Sequence, residues 1–124
     1  MNIPGLIAAK RASGAIAARR IVIHGSSDGL AAQAAGSTAL LIGISTEIPA
    51  ADGAVFDVIR SGLAPVEYGG NVTRGDALTA DAQGRAVAAT LPPATTYIIG
   101  FAELSGVAGD IGSVYIAPAV LPVA

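Results

Sequence analysis

The stretch VTRGDALTADAQGRAV, residues 72–87, decides the fold class. A turn at Arg74-Gly75-Asp76 leads into a short extended segment at Ala77-Leu78-Thr79, and a second turn at Asp81-Ala82-Gln83-Gly84 leads out into Arg85 and beyond. Turns this close together leave room only for short strands. Gly75 and Gly84 supply the positive φ of tight hairpin turns, and the flanking Asp76, Asp81 and Gln83 can satisfy turn amides with their side chains. Nothing in the stretch is a reaction centre. It is scaffold.

Upstream, the same alternation of turn and short strand continues. Ile21, Val22 and Ile23 are β-branched, Ser26-Ser27-Asp28-Gly29 is a turn signal, and residues 30–35 extend to a break at Gly36-Ser37. Residues 40–44, LLIGI, form an apolar run suited to a strand buried on both faces. The Ala51-Asp52-Gly53 turn leads into residues 55–59, and residues 62–68 read as another strand ended by Gly69-Gly70. Downstream, Pro92-Pro93 interrupts ladder pairing. Strands recurring at such intervals signal a small sandwich or barrel.

Residues 40–59, LLIGISTEIPAADGAVFDVI, correspond to residues 97–116, YIIGFAELSGVAGDIGSVYI, with one residue of slip in the second turn. Gly43 matches Gly100, and the Asp52-Gly53 turn matches the Gly109-Asp110 turn. A turn and an Ala-rich strand precede each copy, at Asp28-Gly29 and at Gln83-Gly84. Two copies are too few for a solenoid. A closed or nearly closed all-β barrel with internal pseudo-symmetry fits better, because closure removes exposed strand edges. The division expected is an extended N-terminal arm at 1–15, a β-barrel domain at 16–118 and an extended tail at 119–124.

Composition narrows the function classes. Of the 124 residues 52% are hydrophobic, but aromatics are only 4% and Trp is absent, so the core is built from small side chains. The apolar area that one chain can bury is then limited, and burial against further subunits is a natural source of added stability. There is no Cys and a single His24, which excludes thiolate metal sites and leaves too few soft ligands for zinc. A net charge of −2 argues against a nucleic-acid partner. No run approaches the roughly 20 apolar residues of a membrane-spanning helix, and no secretory signal is evident. The expected partner is protein.

Charge is unevenly spread. Lys10, Arg11, Arg19 and Arg20 are four of the seven basic residues, so residues 1–20 carry +4 and the remainder −6. Either this is a solvated terminus, or it docks on an acidic partner. Other motifs favour structural readings. Arg74-Gly75-Asp76 matches an adhesive tripeptide, but its residues already serve as turn formers. Asn71-Val72-Thr73 is formally a glycosylation acceptor. His24, Ser26, Ser27 and Asp28 include the residue types of a hydrolytic triad, yet they are nearly contiguous, whereas a triad converges from separate elements. Asp76, Asp81 and Asp110 could outline a loose calcium site, but their spacing does not match a calcium loop and turn capping explains them better.

The runs GGNVTRGDALTADAQGRAV and YIIGFAELSGVAGDIGSVYIAP, with RRIVIHGSSDGLAAQAAGSTALLIGIS upstream, resemble the small capsid decoration, or cement, proteins of tailed bacteriophages. The resemblance covers about Ile16 to Pro118. The order of elements carries it: an IxG strand, a Gly/Asp turn, a Val-rich strand, the VTxGDxLTxDxxGxAV hairpin and a second IxG strand. It implies a compact β-barrel or β-tulip-like domain that adds to the outside of an assembled icosahedral head, often as a trimer at three-fold positions, in contact with the major capsid protein and with itself. It implies binding, with no catalytic residues, cofactor or metal to carry over. On this view Lys10, Arg11, Arg19 and Arg20 dock on the capsid, and Gly75, Asp76, Asp81, Gly84, Gly109 and Asp110 form structural turns. The alternative is a trimeric β module of a fibre or spike that recognises a host-surface ligand.

Overall fold

The computed structural model describes residues 2–89 and 96–121, with the Leu121 side chain excepted; Pro92-Pro93 and Pro122 lie outside them. Ten strands follow one another: β1 (Ile7–Ala12), β2 (Ile21–His24), β3 (Leu30–Gln33), β4 (Leu41–Ser45), β5 (Val55–Ile59), β6 (Leu63–Glu67), β7 (Ala77–Ala80), β8 (Ala86–Ala88), β9 (Thr96–Ala102) and β10 (Ile111–Leu121). The first five close into a barrel in the order β1-β3-β2-β4-β5. The second five form a sheet in the order β6-β10-β9-β7-β8.

These two orders are the same. Taken from β3 round the barrel, the first half runs β3-β2-β4-β5-β1; read from its far edge, the second runs β8-β7-β9-β10-β6. Each strand of one half has its counterpart five strands later, so the whole five-stranded unit is duplicated, at an offset of about 56 residues. The hydrogen bonds repeat with it. Ile16 and Ala50 exchange N–H···O bonds of 2.8 and 2.9 Å, as Val72 and Gly106 do at 2.9 and 3.0 Å. Gly53 N–H donates to Ala12 O and Gly109 N–H to Tyr68 O, both at 2.9 Å. The repeat read from residues 40–59 and 97–116 was therefore the legible part of a larger one.

Two expected boundaries move. Residues 1–15 were read as an arm, but β1 pairs with β5 from Ile7↔Ile59 to Arg11↔Val55 and closes the barrel by a parallel ladder to β3. The segment is extended because it is a barrel strand, and Ala12 is buried in the core. The tail expected from 119 is likewise the end of β10, which continues to Leu121 past a bulge between Ile116 and Ala119 that accommodates Pro118.

The two interiors are filled by opposite choices. In the first half Ala12, Ile16, Val22, Ala31, Ile42, Ala50, Phe56 and Val58 pack together. Their counterparts are Tyr68, Val72, Leu78, Ala86, Ile99, Gly106, Gly112 and Val114. The aromatic ring comes from β5 in one half, as Phe56 in the core that also holds Ala12, and follows β6 in the other, as Tyr68 with Gly112 beside it. A Cβ on Gly112 would run into the Tyr68 ring, and one on Gly106 would lie 2.8 Å from its Cδ2. The buried phenol donates to Leu104 O at 2.6 Å, and burial pushes its pKa above the ordinary value. Its neutral form is favoured by folding, so this contribution is held below the ordinary tyrosine range and lost as pH rises through the raised value.

Tyr68→Ala should destabilise the protein by about 3–5 kcal/mol in chemical denaturation, as expected for removing a buried aromatic. Adding Gly112→Phe to that variant copies the arrangement of the first half, and should recover at least about 1 kcal/mol if the two sites are coupled through one ring-sized space.

Candidate functional site

The halves differ at one seam. In the first, Arg11 N–H donates to Gly29 O at 3.0 Å and closes β1 on the β2–β3 turn. The counterpart groups, Glu67 N–H and Gly84 O, do not meet. Residues 19–21 of the first half lie between them: Glu67 N–H donates to Arg19 O at 3.1 Å, and Ile21 N–H donates to Gly84 O at 2.8 Å. Buried backbone groups must be paired, and here each pairs with the inserted segment. Below this point the seam closes again, through a parallel bridge Tyr68↔Ala86 that matches Ala12↔Ala31.

The inserted segment has one unusual residue. Arg19 adopts φ 55°, the only positive φ outside glycine among the described residues, where its counterpart Gly75 has φ 95°. A side chain in this conformation costs roughly 1–2 kcal/mol. Arg20 then clips both sides of the opened seam: Nη2 lies 3.3 Å from Glu67 Oε1, and Nη1 donates to Gln83 O at 2.9 Å. Its buried Nε has no hydrogen-bond partner among the described residues. Gln33 Nε2 adds a bond to Gln83 O at 2.8 Å. Beneath these contacts Ile21, Leu41, Ile44 and Ile59, on the outer side of the first barrel, share one buried cluster with Ala64, Val66, Leu78, Ala80 and Val114 of the second half.

The four cations read as docking residues lie at two separate places. The register sets Arg11 opposite Leu30, and both Ala12 and His24 opposite Ala31, so the last residues of β1 and of β2 meet at the start of β3. Lys10 and Arg11 lie there, and Lys10, His24 and residues 25–29 line an open concavity of about 560 Å³. Arg19 and Arg20 lie at the opposite end, in the joint. Arg11 is exposed and donates to Gly53 O at 2.7 Å, while Lys10 is half-buried.

Gly75, Gly84 and Gly109 have φ of 95°, 75° and 90°. Asp76 Oδ2 accepts from Thr73 N–H at 2.9 Å, and Asp110 Oδ2 from Val107 N–H at 2.9 Å. Asp81 Oδ1 accepts from Gln83 and Arg85 N–H, both at 2.9 Å, and Oδ2 pairs with Arg85 Nε at 2.9 Å. Each carboxylate is thus engaged in its own turn. No grouping of three or more potential metal ligands occurs among the described residues. No hydrogen bond links His24 to Ser26, Ser27 or Asp28 among them.

The aromatic residues divide in a way the sequence did not announce. Tyr68 and Phe56 are core, whereas Phe101 and Tyr115 are 42% and 53% exposed. They are direct cross-strand partners, with Ala77 beside Phe101 and Leu63 beside Tyr115. This row crosses four strands on the outer side of the second half. The signal for it was parity: both residues are out of phase with the paired core positions Ala102 and Val114.

Residues 5–116 match the family model of phage cement proteins. Among solved structures, the chain is similar to the head fiber gp8.5 N base of bacteriophage phi29, with a TM-score of 0.67 and 20% identity over 90% of this chain and 93% of that one. No curated protein matches the chain.

Replacing Arg20 by Ala should cost about 1.5–3 kcal/mol of stability, because the pair with Glu67 and the bond to Gln83 O are lost together. Arg19→Gly relieves the left-handed backbone, and should raise stability by up to about 1 kcal/mol. Denaturant midpoints of both variants measure the two effects.

Proposed function

Since this chain belongs to the phage cement protein family, we propose that it adds to the outside of the assembled head and stabilises the capsid lattice. Membership makes it a structural, capsid-associated virion component; the outer surface, the mode of action and a homotrimeric state are our reading. The observation that carries it is the extent of the family match, which takes in both halves and the joint between them.

The mechanism needs no reaction centre. A subunit that spans a junction between capsid subunits adds contacts that must break before the shell opens, and a molecule that binds only the mature lattice stabilises it by mass action. In a trimer three such contacts act together at high effective concentration, so each can be weak. Of the four cations, Arg20 is held in the internal joint, where the Arg19 carbonyl also accepts from Glu67 N–H. Lys10 and Arg11 remain for assembly on the head. The likeness to a head fiber base favours a second reading, in which the chain is the capsid-anchored foot of a fibre.

Purified protein should co-sediment with mature, undecorated heads at a small fixed ratio to the major capsid protein, and not with unexpanded precursor shells. Reversing both charges by Lys10→Glu and Arg11→Glu should weaken that binding about tenfold or more, since multivalent attachment multiplies small losses. No binding of the unaltered protein to either particle would overturn the cement reading. Attachment only at the sites where fibres emerge would establish the second.

A further inference from the structure

The joint inside the chain has a second, unused set of parts. The face that the first half presents to it includes Ile21, Ile44 and Ile59, all buried. Ile21 pairs with Ile44 and Ile44 with Ile59 across β2, β4 and β5. Their counterparts are Ala77, Phe101 and Tyr115, paired in the same way across β7, β9 and β10. In the second half two aromatic rings stand in place of Ile44 and Ile59, with the half-buried Ala77 beside them, and both rings are exposed.

The receiving surface is duplicated too. In the joint it consists of the end of β6 at Glu67 and the turn at Gln83-Gly84. The counterpart is the end of β1 at Arg11 and the turn at Asp28-Gly29, beside Lys10 and His24. The positions buried in the second half as Val66 and Ala80 are half-buried and exposed here, as Lys10 and His24. This end is the open concavity described above.

Charge supplies the independent observation. The internal ion pair is Arg20 with Glu67. The counterpart of Arg20 is Asp76, and the counterpart of Glu67 is Arg11. The unused parts therefore carry the same pair with the signs exchanged, one member on each half.

We propose that the occupant of the Phe101–Tyr115 face is a second copy of this chain, docked head to tail, with Asp76 of one copy paired to Arg11 of the next. The seam of the first half is closed by its own Arg11–Gly29 bond, so the contact rests on side chains. The aromatic pair enters the concavity beside Lys10 and His24, where a cation against an aromatic face adds attraction. Such an interface is heterologous: it uses two different surfaces, and closes into a ring when its rotation allows. This deepens the proposed self-association, and since Arg11 is also assigned to head attachment, the contact between copies is tested without heads.

The test is the oligomeric state of the full chain, by light scattering and sedimentation velocity over a wide concentration range without heads. The unaltered protein should form a discrete oligomer. Phe101→Glu with Tyr115→Glu, Arg11→Asp alone and Asp76→Arg alone should each weaken association at least about thirtyfold, as loss of an interface hot spot does. Arg11→Asp and Asp76→Arg in one chain should restore it. Asp76 also caps its own turn, so the exposed aromatic variant, whose melting should match the unaltered protein, is the independent check. A monomer at every concentration, or an Arg11→Asp variant that still assembles as a face-to-face dimer would, overturns the proposal. Head binding plays no part in this measurement. A failure here leaves the capsid reading standing, and heads that take up none of an intact oligomer would leave this interface standing.

Discussion

The exchange of a single hydrogen-bond pair organises the molecule. Two five-stranded units of the same topology could each close on themselves by the bond that joins Arg11 to Gly29 in the first. In the second that bond is replaced by two, both to residues 19–21, so the opened barrel and its neighbour become one body. The number of satisfied backbone groups is preserved, and the net gain lies in the apolar surface covered beneath. A protein with so few large side chains has little interior to spare. Sharing one core between two halves lets Ile21, Leu41, Ile44 and Ile59 do in the joint what a larger barrel would do internally.

Duplication followed by divergence leaves its marks in compensating pairs. Phe56 and Ala12 share the core of the first half, and at the corresponding positions of the second half Gly112 lies against the Tyr68 ring, so the aromatic ring comes from opposite members of the pair. Gly75 holds without strain the left-handed conformation that Arg19 holds at a cost, and Arg19 lies where the seam is crossed. The strained residue therefore belongs to the half that inserts. In the other half the same turn, at Arg74-Gly75-Asp76, enters no seam among the described residues, and its strand leads to the exposed Phe101–Tyr115 row. The asymmetry is suited to a particle-binding protein: one pair of surfaces holds the chain together, and the other faces outward.

The sequence was legible where local chemistry decides structure. Turn residues with positive φ, β-branched runs and the LLIGI segment place most strands correctly, because tight turns restrict φ and a strand buried on both faces requires continuous apolar residues. The first strand was missed because IAAKRA has neither a β-branched run nor clear alternation. Its pairing with Val55 to Ile59 is fixed by partners more than forty residues away. The full extent of the duplication was hidden for a similar reason. Outside the two IxG hairpins the counterparts share position and hydrogen bonding but seldom side chains, as Ala12 with Tyr68 and Arg20 with Asp76 illustrate.

By itself, then, the sequence determined an all-β chain of short strands, the turns that Gly75, Gly84 and Gly109 make, the want of large core residues, and a resemblance to proteins that cement phage heads. Each of these depends on residues close together in the chain or on composition. Only the tertiary structure decided which half is closed, that Arg20 belongs to the joint while Arg11 faces solvent, and that Phe101 and Tyr115 are outside while Tyr68 is inside. Those outcomes depend on which strand lies beside which, often across more than forty residues as for Arg11 with Val55 and Arg20 with Glu67, and on a one-residue change of parity that sends a side chain to the other face of its sheet.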